Sequence, residues 1–571
     1  NLTKDIKANT FSIYLFNIFG IVKKKGPNFI EQIIEGDIAR GFDNKNLRFR
    51  FPPEPNGYLH IGHLKAICLN FNLGEKYNSP VNLRFDDTNP EKEAKEYVDA
   101  IKHDIKWLGF DWDKECYASD YFDQLYEWAI SLIEKNKAYI DSQTSEQIAT
   151  QKGTPTQPGE NSPFRNRPKE ESLSIFKGMY NGEYDQGEHV LRAKIDMASP
   201  NMLMRDPVVY RVMKASHHRT GENWNIYPMY DWTHGESDYI EQVSHSLCTL
   251  EFEPHRELYD WFLDAISPLK GIRPKQREFS RLNLTFTITS KRKLAQLVDN
   301  EMVSGWDDPR MPTISGLRKR GYTPQSLKNF ALTVGVSKRE NVIDASLLEF
   351  CVRSHLNEVA PRAMAVINPL KIKIINYDKH EGEKISFEIN QQNEEAGKRE
   401  IAFTDEMFIE KEDFQENPEE GFFRLSPGEE VRLKNAYIIK AVEVVKDQEG
   451  NISQVLCEYD QKSKSGSNTP ESNRKVKGTI HWVSAKEAVS AKINIYDRLF
   501  KVEEPGKNAT IENEINENSL ITKEALVEPY LLEAKEGQQF QFQRLGYFVK
   551  TDNKKTLEFN KTVGLRDGWK K

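Results

Sequence analysis

The stretch "RFPPEPNGYLHIGH", from Arg50 to His63, decides how the first half of the chain folds. It begins inside "LRFRF" (47–51), whose alternating apolar residues predict a β-strand, and runs into "LHIGHLKAICLNFNL" (59–73), which predicts a helix. Three prolines stiffen the crossing and an Asn-Gly pair permits a tight turn. A helix that begins at the carboxyl end of a parallel strand gathers unpaired backbone N–H groups, which favour anions such as phosphates.

A second strand and a second helix follow in the same order. "PVNLRFDD" (80–87) predicts a second strand and "EKEAKEYVDAIKHDIKWLGF" (91–110) a second helix, as in a parallel α/β sheet. A stretch rich in Gly, Pro and Thr (152–167) interrupts this order, and "NIYPMYDW" (225–232) resumes a strand pattern, which indicates an inserted domain. From about residue 364 the chain changes to short alternating strands separated by turns, which are typical of β-barrels.

The length and composition of the chain predict a soluble protein of several domains. Of its 571 residues, 38% are hydrophobic and 29% charged, and the net charge of −7 means that any nucleic-acid surface is a local patch. The five cysteines form no CxxC pair, so we expect neither a disulfide framework nor a structural metal. This cysteine usage fits a reducing, intracellular compartment, and we expect a cytoplasmic location.

The N-terminal segment "FSIYLFNIFGIV" (11–22) stands apart. It is too short for a membrane span, which takes about 20 residues, although it has the size of a signal-peptide core. Since no small-residue cleavage site follows it, we interpret it as a local amphipathic or poorly ordered extension, and no membrane association is expected.

His60 and His63 are three residues apart and share one face of the first helical turns. There, two imidazoles can donate hydrogen bonds to phosphate oxygens and pack on a nucleoside. In isolation, an HxxH pair is more often an ordinary surface pair, and it lacks the i,i+4 spacing of a zinc-binding HExxH.

Two motifs together carry more information. "HIGH" (60–63) followed by the lysine-rich "ITSKRKL" (288–294) resembles the class I aminoacyl-tRNA synthetases. Longer segments resemble the glutaminyl-tRNA synthetase family from about residue 27 to 567: "RFPPEPNGYLHIGHLKAICLNFNLG", "NLRFDDTNP", "LRAKIDMASPNMLMRDPVVYR", "NIYPMYDW", "HSLCTLEF", "EFSRLNL" and "GWDDPRMPTISGLRKRGYTP".

The resemblance implies a multidomain α/β and all-β fold. Its parts are an N-terminal extension and packing helix (1–46), the first half of a Rossmann-type catalytic domain with a parallel sheet (47–119), an inserted acceptor-stem-binding domain (120–229), the second catalytic half (230–280), a helical connector with the SKRK loop (281–358) and two anticodon-binding β-barrels (359–571).

The resemblance also implies that ATP is a substrate, bound with Mg²⁺. His60, His63 and Lys291 are the expected catalytic residues, with the histidines at the α-phosphate and Lys291, together with Lys293, at the leaving pyrophosphate. The expected ATP contacts are Glu54, Pro55, Asn56, His60, Ile61, Gly62, His63, Leu64, Lys65, Ala66, Thr249, Arg281, Leu282, Thr289, Ser290 and Lys291.

Glutamine is the amino acid that the resemblance implies, held by Asp86 and Tyr230, with Arg50, His234 and Gln276 nearby. A carboxylate suits the α-ammonium, and a tyrosine hydroxyl can accept from the side-chain amide, as can a water held by Gln276. Without the family, Tyr230 is also compatible with a core tyrosine on a strand. We expect Asp87 to brace the following turn and Cys248 to be a buried thiol.

Glutamine tRNA is the expected partner of a monomeric enzyme. By resemblance, the anticodon-binding residues are Arg362, Arg424, Arg432, Lys434 and Gln541, although a solvated surface role is the default for any single arginine on a barrel. Two positions depart from the family: Thr289 stands where methionine is usual, and Pro254 where many bacterial members carry an acidic residue.

Two other interpretations remain at this stage. An archaeal or eukaryotic-type glutamyl-tRNA synthetase shares the barrels and "FSRLN", whereas "PNGYLHIGH", "IYPMY" and "HSLCTLEF" are of the glutamine type. A non-catalytic tRNA-binding relative is disfavoured because Glu54, His60, His63, Asp86 and Lys291 are all present.

Overall fold

The computed structural model describes residues 26–378 and 382–566, so the prediction for segment 11–22 lies outside the described residues. The chain divides into two compact units. Within the described ranges, unit 1 comprises 26–283 and 331–343, and unit 2 comprises 284–330, 344–378 and 382–566. In these ranges no helix combines the length and the apolar character that crossing a bilayer takes.

A parallel sheet forms the centre of unit 1, as predicted. Its strands are β1 (Phe49–Phe51), β2 (Val81–Phe85) and β3 (Glu115–Tyr117), in the order β1-β2-β3. A second parallel pair joins β8 (His245–Thr249) to β9 (Lys275–Phe279), and the Ser244 N–H donates to Arg48 O (3.0 Å) beside β1. Because both faces are covered by helices, all residues of β1 and β2 are buried.

Five helices surround these strands. They are α1 (Phe29–Ala39), α2 (Ile61–Tyr77), α3 (Lys95–Trp107), α7 (Tyr230–Ile240) and α8 (Arg256–Ala265). The sequence predicted the first three to within a few residues. The strand predicted over 225–232 is wrong in its second half, because the strand ends at Pro228 and Tyr230 begins α7.

The region between β3 and α7 forms an antiparallel sheet whose core also includes side chains of α7 and α8, such as Trp232 and Phe262. Its strands, in the order β4-β5-β6-β7, are β4 (Ala138–Asp141), β5 (Val190–Ala193), β6 (Val208–Val212) and β7 (Ile226–Pro228), and its helices are α4 (Phe122–Glu134), α5 (Ser145–Gln151) and α6 (Lys169–Asn181). Ile140, Phe176, Leu191 and Tyr210 are fully buried in it.

The helices that follow are α9 (Lys291–Asp299), α10 (Ile314–Lys319), α11 (Pro324–Val334) and α12 (Ala345–Val359), as the mainly helical pattern of 281–358 predicted. Between them lie the short strands β10 (Asn283–Leu284) and β11 (Val342–Ile343).

Two seven-stranded barrel-like sheets make up most of unit 2 and confirm the all-β prediction. One has the order β12-β25-β26-β27-β23-β24-β13, with bounds Arg362–Ala363, Gln539–Phe542, Gly546–Lys550, Glu558–Val563, Val489–Tyr496, Leu520–Val527 and Ala365–Val366. The other has the order β21-β18-β19-β20-β14-β17-β22, with bounds Thr479–Ile480, Glu430–Leu433, Ile438–Lys446, Ile452–Tyr459, Pro369–Ile374, Glu406–Glu410 and Val483–Ser484. A hairpin joins β15 (Glu383–Glu388) to β16 (Lys398–Phe403).

Candidate active site

The two histidines of the HIGH motif cap helix α2. His60 is the N-cap: its Nδ1 accepts from the Gly62 N–H (3.1 Å), while the His60 N–H donates to His63 Nδ1 (3.1 Å). Since both Nδ1 atoms accept, each neutral ring carries its proton on Nε2. The two imidazole rings at the helix start, with centroids 3.9 Å apart, therefore each carry an Nε2–H donor. Phosphate oxygens can accept hydrogen bonds from such donors.

The proline-rich turn before this helix is tied to the loop after β2. The Asp86 N–H donates to Pro53 O (3.1 Å) and the Ala94 N–H donates to Pro55 O (3.2 Å). Pro55 is buried, whereas the Glu54 side chain is exposed. Residues 54–56 thus form a fixed edge beside the HIGH helix, where a nucleotide contact was predicted.

The other predicted ATP residues of unit 1 differ in what they can offer. The side chains of Ile61, Leu64 and Leu282 lie in the core, so these residues are available to a ligand through their backbone only. Lys65 is also buried: its Nζ donates to Ser280 Oγ (2.8 Å), and burial lowers its pKa to about 8.

Thr249 and Arg281 meet at one carboxylate. The Thr249 hydroxyl donates to Glu251 (2.7 Å), and the Arg281 guanidinium pairs with the same side chain. The predicted contacts at the end of β8 and after β9 are therefore brought together in unit 1.

A buried charge network includes two of the predicted glutamine-site residues, Arg50 and Asp86. It consists of Arg50 from β1, Arg84 from β2, Asp86 just after β2, and Asp238 and Glu241 from the end of α7. Asp238 Oδ1 accepts from Arg50 Nε (3.0 Å) and from an Arg84 terminal nitrogen (2.7 Å). Burial alone would raise the pKa of Asp238, but the two guanidinium groups hold it well below its ordinary value.

Arg50 is more committed than the sequence indicated. Besides Asp238, its guanidinium donates to Leu247 O (2.8 Å), Ser246 Oγ (2.6 Å) and His234 Nε2 (3.2 Å). Its side chain has no exposed surface. Arg50 therefore builds the floor of the pocket.

Asp86 lies above this floor. One carboxylate oxygen accepts from Arg84 Nε (2.9 Å), which orients the group. Burial raises the pKa of Asp86 to about 6, although Arg84 and Arg50 oppose the rise. A carboxylate of this kind can bind a cationic group such as an α-ammonium through charge-assisted hydrogen bonds.

Tyr230 and His234 stand one turn apart on α7, with ring centroids at 5.0 Å. An arginine can only donate, so His234 Nε2 accepts from Arg50 and the ring proton lies on Nδ1. Burial lowers the pKa of His234 to about 3, which keeps the ring neutral. The His234 Nδ1–H therefore donates to the Tyr230 hydroxyl (3.1 Å), which retains one lone pair and its own O–H for a ligand.

Gln276 and Cys248 complete the surroundings. The Gln276 amide nitrogen donates to Phe252 O (2.8 Å) and to Glu278 (2.9 Å), which leaves the amide oxygen to accept from a water. Phe252 packs against the Tyr230 ring at 5.4 Å. Cys248 is a buried thiol 3.5 Å from His234 Nε2, and burial raises its pKa, so it is not an activated nucleophile.

The SKRK motif belongs to unit 2, where it starts helix α9 with Ser290 as N-cap and Lys291 as first residue. Lys293 donates to Gly506 O (2.9 Å), so this ammonium anchors the helix within unit 2. Leu294 and Leu297 pack in the same core as Leu499 and Phe500. Lys293, which was predicted beside the pyrophosphate together with Lys291, is thus engaged with unit 2.

The predicted anticodon residues lie in three places on the barrels. Arg362 and Gln541 face each other across β12 and β25; Arg362 donates to Asn357 O (2.6 Å), and Gln541 donates to the Tyr547 hydroxyl (2.9 Å). Arg432 donates to the backbone of the loop at Ser463 and Ser472.

Arg424 belongs to the third place, around the buried Asp413. This carboxylate binds Arg424 Nε (3.0 Å) and both terminal nitrogens of Arg544 (2.5 and 2.7 Å). Burial lowers the pKa of Lys434, and the positive charge of Arg544 lowers it further.

The chain matches known proteins over most of its length. Residues 46–358 match the catalytic domain of "tRNA synthetases class I (E and Q)", and residues 360–460 and 479–551 match two anticodon-binding domains of the same group. A glutamine–tRNA ligase from Vibrio vulnificus (strain YJ016) is 54% identical over 548 residues, covering 95% of this chain and 98% of that protein.

The chain belongs to the glutamine–tRNA ligase family.

A second ligase of this family, from Clostridium kluyveri, is 51% identical over 95% of this chain and 98% of its own length. Among solved structures, a glutamate tRNA ligase from Elizabethkingia meningosepticum is 17% identical with a TM-score of 0.41, covering 55% of this chain and 70% of that chain. The resemblance stated from the motifs is thus confirmed at the level of the family.

Several residues of this glutamine–tRNA ligase family member escaped prediction. Arg84 donates to Asp238 beside the predicted glutamine residues, and Arg544 shares Asp413 with Arg424. Asp238 could have been found, because it follows Tyr230 by eight residues and His234 by four, which places all three on one helical face. The strand assigned to 225–232 obscured that spacing.

The carboxyl group of Glu93 is buried, and its titration makes the stability of the fold depend on pH. One of its carboxylate oxygens accepts from the Asn89 N–H (2.8 Å) and the other lies 3.8 Å from His217 Nε2. Burial raises its pKa to about 9, with further contributions from Asp87, Glu54 and Asp86. The folded protein therefore keeps Glu93 protonated and loses stability relative to a neutral isostere as pH rises from about 4.5 towards 9.

We expect Glu93→Gln to match the parent chain in melting temperature at pH 5 and to exceed it at pH 8.5. Thermal denaturation followed by circular dichroism across this range measures the difference. Glu91→Gln, at an exposed neighbouring position, is the matched control and should show no such trend. A Glu93→Gln difference that stays constant with pH contradicts the prediction.

Proposed function

We propose that this chain activates glutamine with ATP to glutaminyl adenylate, releases pyrophosphate, and esterifies the 2′-hydroxyl of the terminal adenosine of glutamine tRNA. The observation that carries the proposal is one pocket in which the buried Asp86 carboxylate and the Tyr230–His234 pair share a floor made by Arg50 and Asp238. The backbone bond from Asp86 to Pro53 ties this pocket to the turn that precedes the HIGH helix.

The α-carboxylate of glutamine would attack the α-phosphate of ATP. Negative charge grows on the phosphoryl oxygens during this step, and the Nε2–H groups of His60 and His63, at a helix start, would donate to them. Mg²⁺, which would arrive with ATP and be held mainly by its phosphates, supplies further positive charge. No side chain of the pocket has to act as a nucleophile.

Selection of glutamine over glutamate would rest on unpaired hydrogen-bonding groups. Because the His234 N–H already occupies one lone pair of the Tyr230 oxygen, the remaining lone pair needs a donor. The side-chain NH₂ of glutamine supplies one, whereas the carboxylate of glutamate has no hydrogen to donate. A water on the Gln276 oxygen adds a second acceptor, and leaving such groups unpaired disfavours glutamate.

The tRNA would contact the inserted domain and the barrels. We assign the acceptor end to the inserted domain (120–229) and the anticodon to the barrel residues Arg362, Arg424, Arg432, Lys434 and Gln541. Unstacked anticodon bases offer edges and faces to arginines and aromatic side chains. Activation is expected to require bound tRNA, as the family resemblance implies.

The direct test is exchange of labelled pyrophosphate into ATP. We expect exchange that depends on glutamine, ATP and glutamine tRNA together, followed by formation of glutaminyl-tRNA. Robust exchange with glutamate in place of glutamine would overturn the proposal and favour the glutamyl type of enzyme.

The titration of Asp86 gives a pH prediction. Below its pKa of about 6 the carboxylate takes up a proton and loses the charge that holds the α-ammonium. The KM for glutamine should therefore rise roughly tenfold per pH unit below 6 and stay flat between pH 7 and 8, while the KM for ATP follows no such curve. A glutamine KM that stays flat down to pH 5 contradicts the role of Asp86.

Lys291 provides a test of catalysis against binding. We expect Lys291→Ala to slow adenylate formation by about 10²-fold or more, because a charge on the leaving pyrophosphate is lost, with tRNA affinity unchanged. Single-turnover kinetics and filter binding measure the two effects. Lys398→Ala, at an exposed position on β16, is the matched control. An unchanged rate in Lys291→Ala would leave only a binding function for this motif.

A further inference from the structure

Asp87, the second carboxylate of "FDD", sits beside the glutamine pocket without belonging to it. It is fully buried, and its oxygens accept from the Ser119 N–H (2.9 Å), the Ser119 hydroxyl (2.7 Å) and His218 Nε2 (3.2 Å). Its backbone oxygen accepts from His217 Nε2 (2.9 Å). We call Asp87, Ser119, His217 and His218 the Asp87 cluster.

The ligand atoms of Asp87, His217 and His218 lie within 4.8 Å of one another, a spacing that a metal ion could also use. The hydrogen bonds of His217 decide between the two possibilities. Its Nδ1 accepts from the backbone N–H groups of Arg219 (3.2 Å) and Thr220 (3.2 Å), so the ring proton is on Nε2. A metal ligand needs a lone pair on that Nε2, whereas the turn stabilises the tautomer that donates to Asp87 O.

The two histidines sit on a stiff turn between β6 and β7 of the inserted sheet. His217 and Gly221 exchange both backbone hydrogen bonds (2.9 Å each). Arg219 donates to Ser119 Oγ (2.8 Å) and to Asp120 (2.7 Å), and its guanidinium lies 3.8 Å from the centre of the Tyr117 ring. The turn is thereby attached to the residues that follow β3 as well as to Asp87.

The cluster reaches the substrate residues through one peptide bond. Asp86 precedes Asp87, and its N–H donates to Pro53 O, in the turn before the HIGH helix. Because one planar peptide joins the two residues, a displacement of the Asp87 backbone is transmitted to Asp86. The loop after β2 is thus fixed from the inserted sheet on one side and from the turn 53–55 on the other.

We propose that His217 and His218 are positioning residues for the amino-acid site: by donating to Asp87 they hold the Asp86 carboxylate where it meets the α-ammonium of glutamine. The inference rests on the proposed function. It gives the inserted domain a role in glutamine binding besides its contact with the tRNA acceptor end. A ligand bound on the inserted sheet would reach the amino-acid pocket by the same route.

The test compares removal of the donors with their replacement. Gln places an amide N–H where Nε2 of histidine lies, so His217→Gln and His218→Gln retain a donor, whereas His217→Ala and His218→Ala remove it. We expect each alanine variant to raise the glutamine KM about tenfold, with a change of less than about threefold in the ATP KM, and each glutamine variant to restore most of the loss. His189→Ala is the matched control, since His189 is a half-buried histidine of the same domain that pairs with Ser142.

The outcomes separate the inference from the proposed function. If the parent enzyme does not charge tRNA with glutamine, the proposed function fails. If it does, and the folded alanine variants keep the parent glutamine KM, the positioning role is overturned. An equal rise in both KM values together with a lower melting temperature would also overturn it, as a general loss of structure. A stoichiometric metal found by mass spectrometry, whose removal by a chelator raises the glutamine KM, would overturn the hydrogen-bonded positioning role and show that the Asp87 cluster is a cation site.

Discussion

The pairing of the buried Asp238 carboxylate with Arg50 and Arg84 is the interaction on which the proposed amino-acid site depends. The carboxylate accepts from Arg50, Arg84, Ser246 and the Tyr259 hydroxyl, and none of its surface is exposed. A charge in such a place is tolerated only with complete pairing, since an isolated buried ion costs several kcal/mol even after relaxation. The two arginines come from neighbouring parallel strands and the carboxylate from a helix, so this pairing fixes α7 against the sheet.

The register of α7 follows from that anchor. With Asp238 held by two arginines, His234 one turn earlier meets the Arg50 guanidinium, and Tyr230 two turns earlier is placed at the pocket. The hydrogen-bonding roles are fixed in order along this chain of contacts. Because Arg50 can only donate, His234 accepts on Nε2, and its Nδ1–H then donates to the Tyr230 hydroxyl. The hydroxyl that would read the substrate is oriented by a chain that starts at a buried ion pair.

Sequence alone predicted the parallel sheet, the helix start at HIGH and the barrels, because periodicity and turn residues are local signals. The family resemblance implied Asp86, Tyr230 and His234, which the structure connects through Arg84, Asp238 and Arg50. The sequence could not show that Arg50 is wholly engaged with Asp238 and the backbone, since partners 188 residues apart leave no local pattern. His217 and His218 were missed for the same reason: their partner, Asp87, lies 130 residues earlier in the chain.

A buried carboxylate that pairs with two arginines also occurs in the barrels. Asp413 is buried and pairs with both Arg424 and Arg544, as Asp238 pairs with Arg50 and Arg84, yet the Arg424 side chain is 45% exposed and that of Arg544 28%. A guanidinium can keep one edge on a carboxylate while its other edge and its face remain available. An arginine held in this way has already lost much of its rotational freedom, so less is lost when it meets a base. Full burial commits Arg50 and Arg84 to the protein interior, whereas partial burial leaves part of the Arg424 and Arg544 guanidinium groups at the surface, where anticodon contacts are proposed.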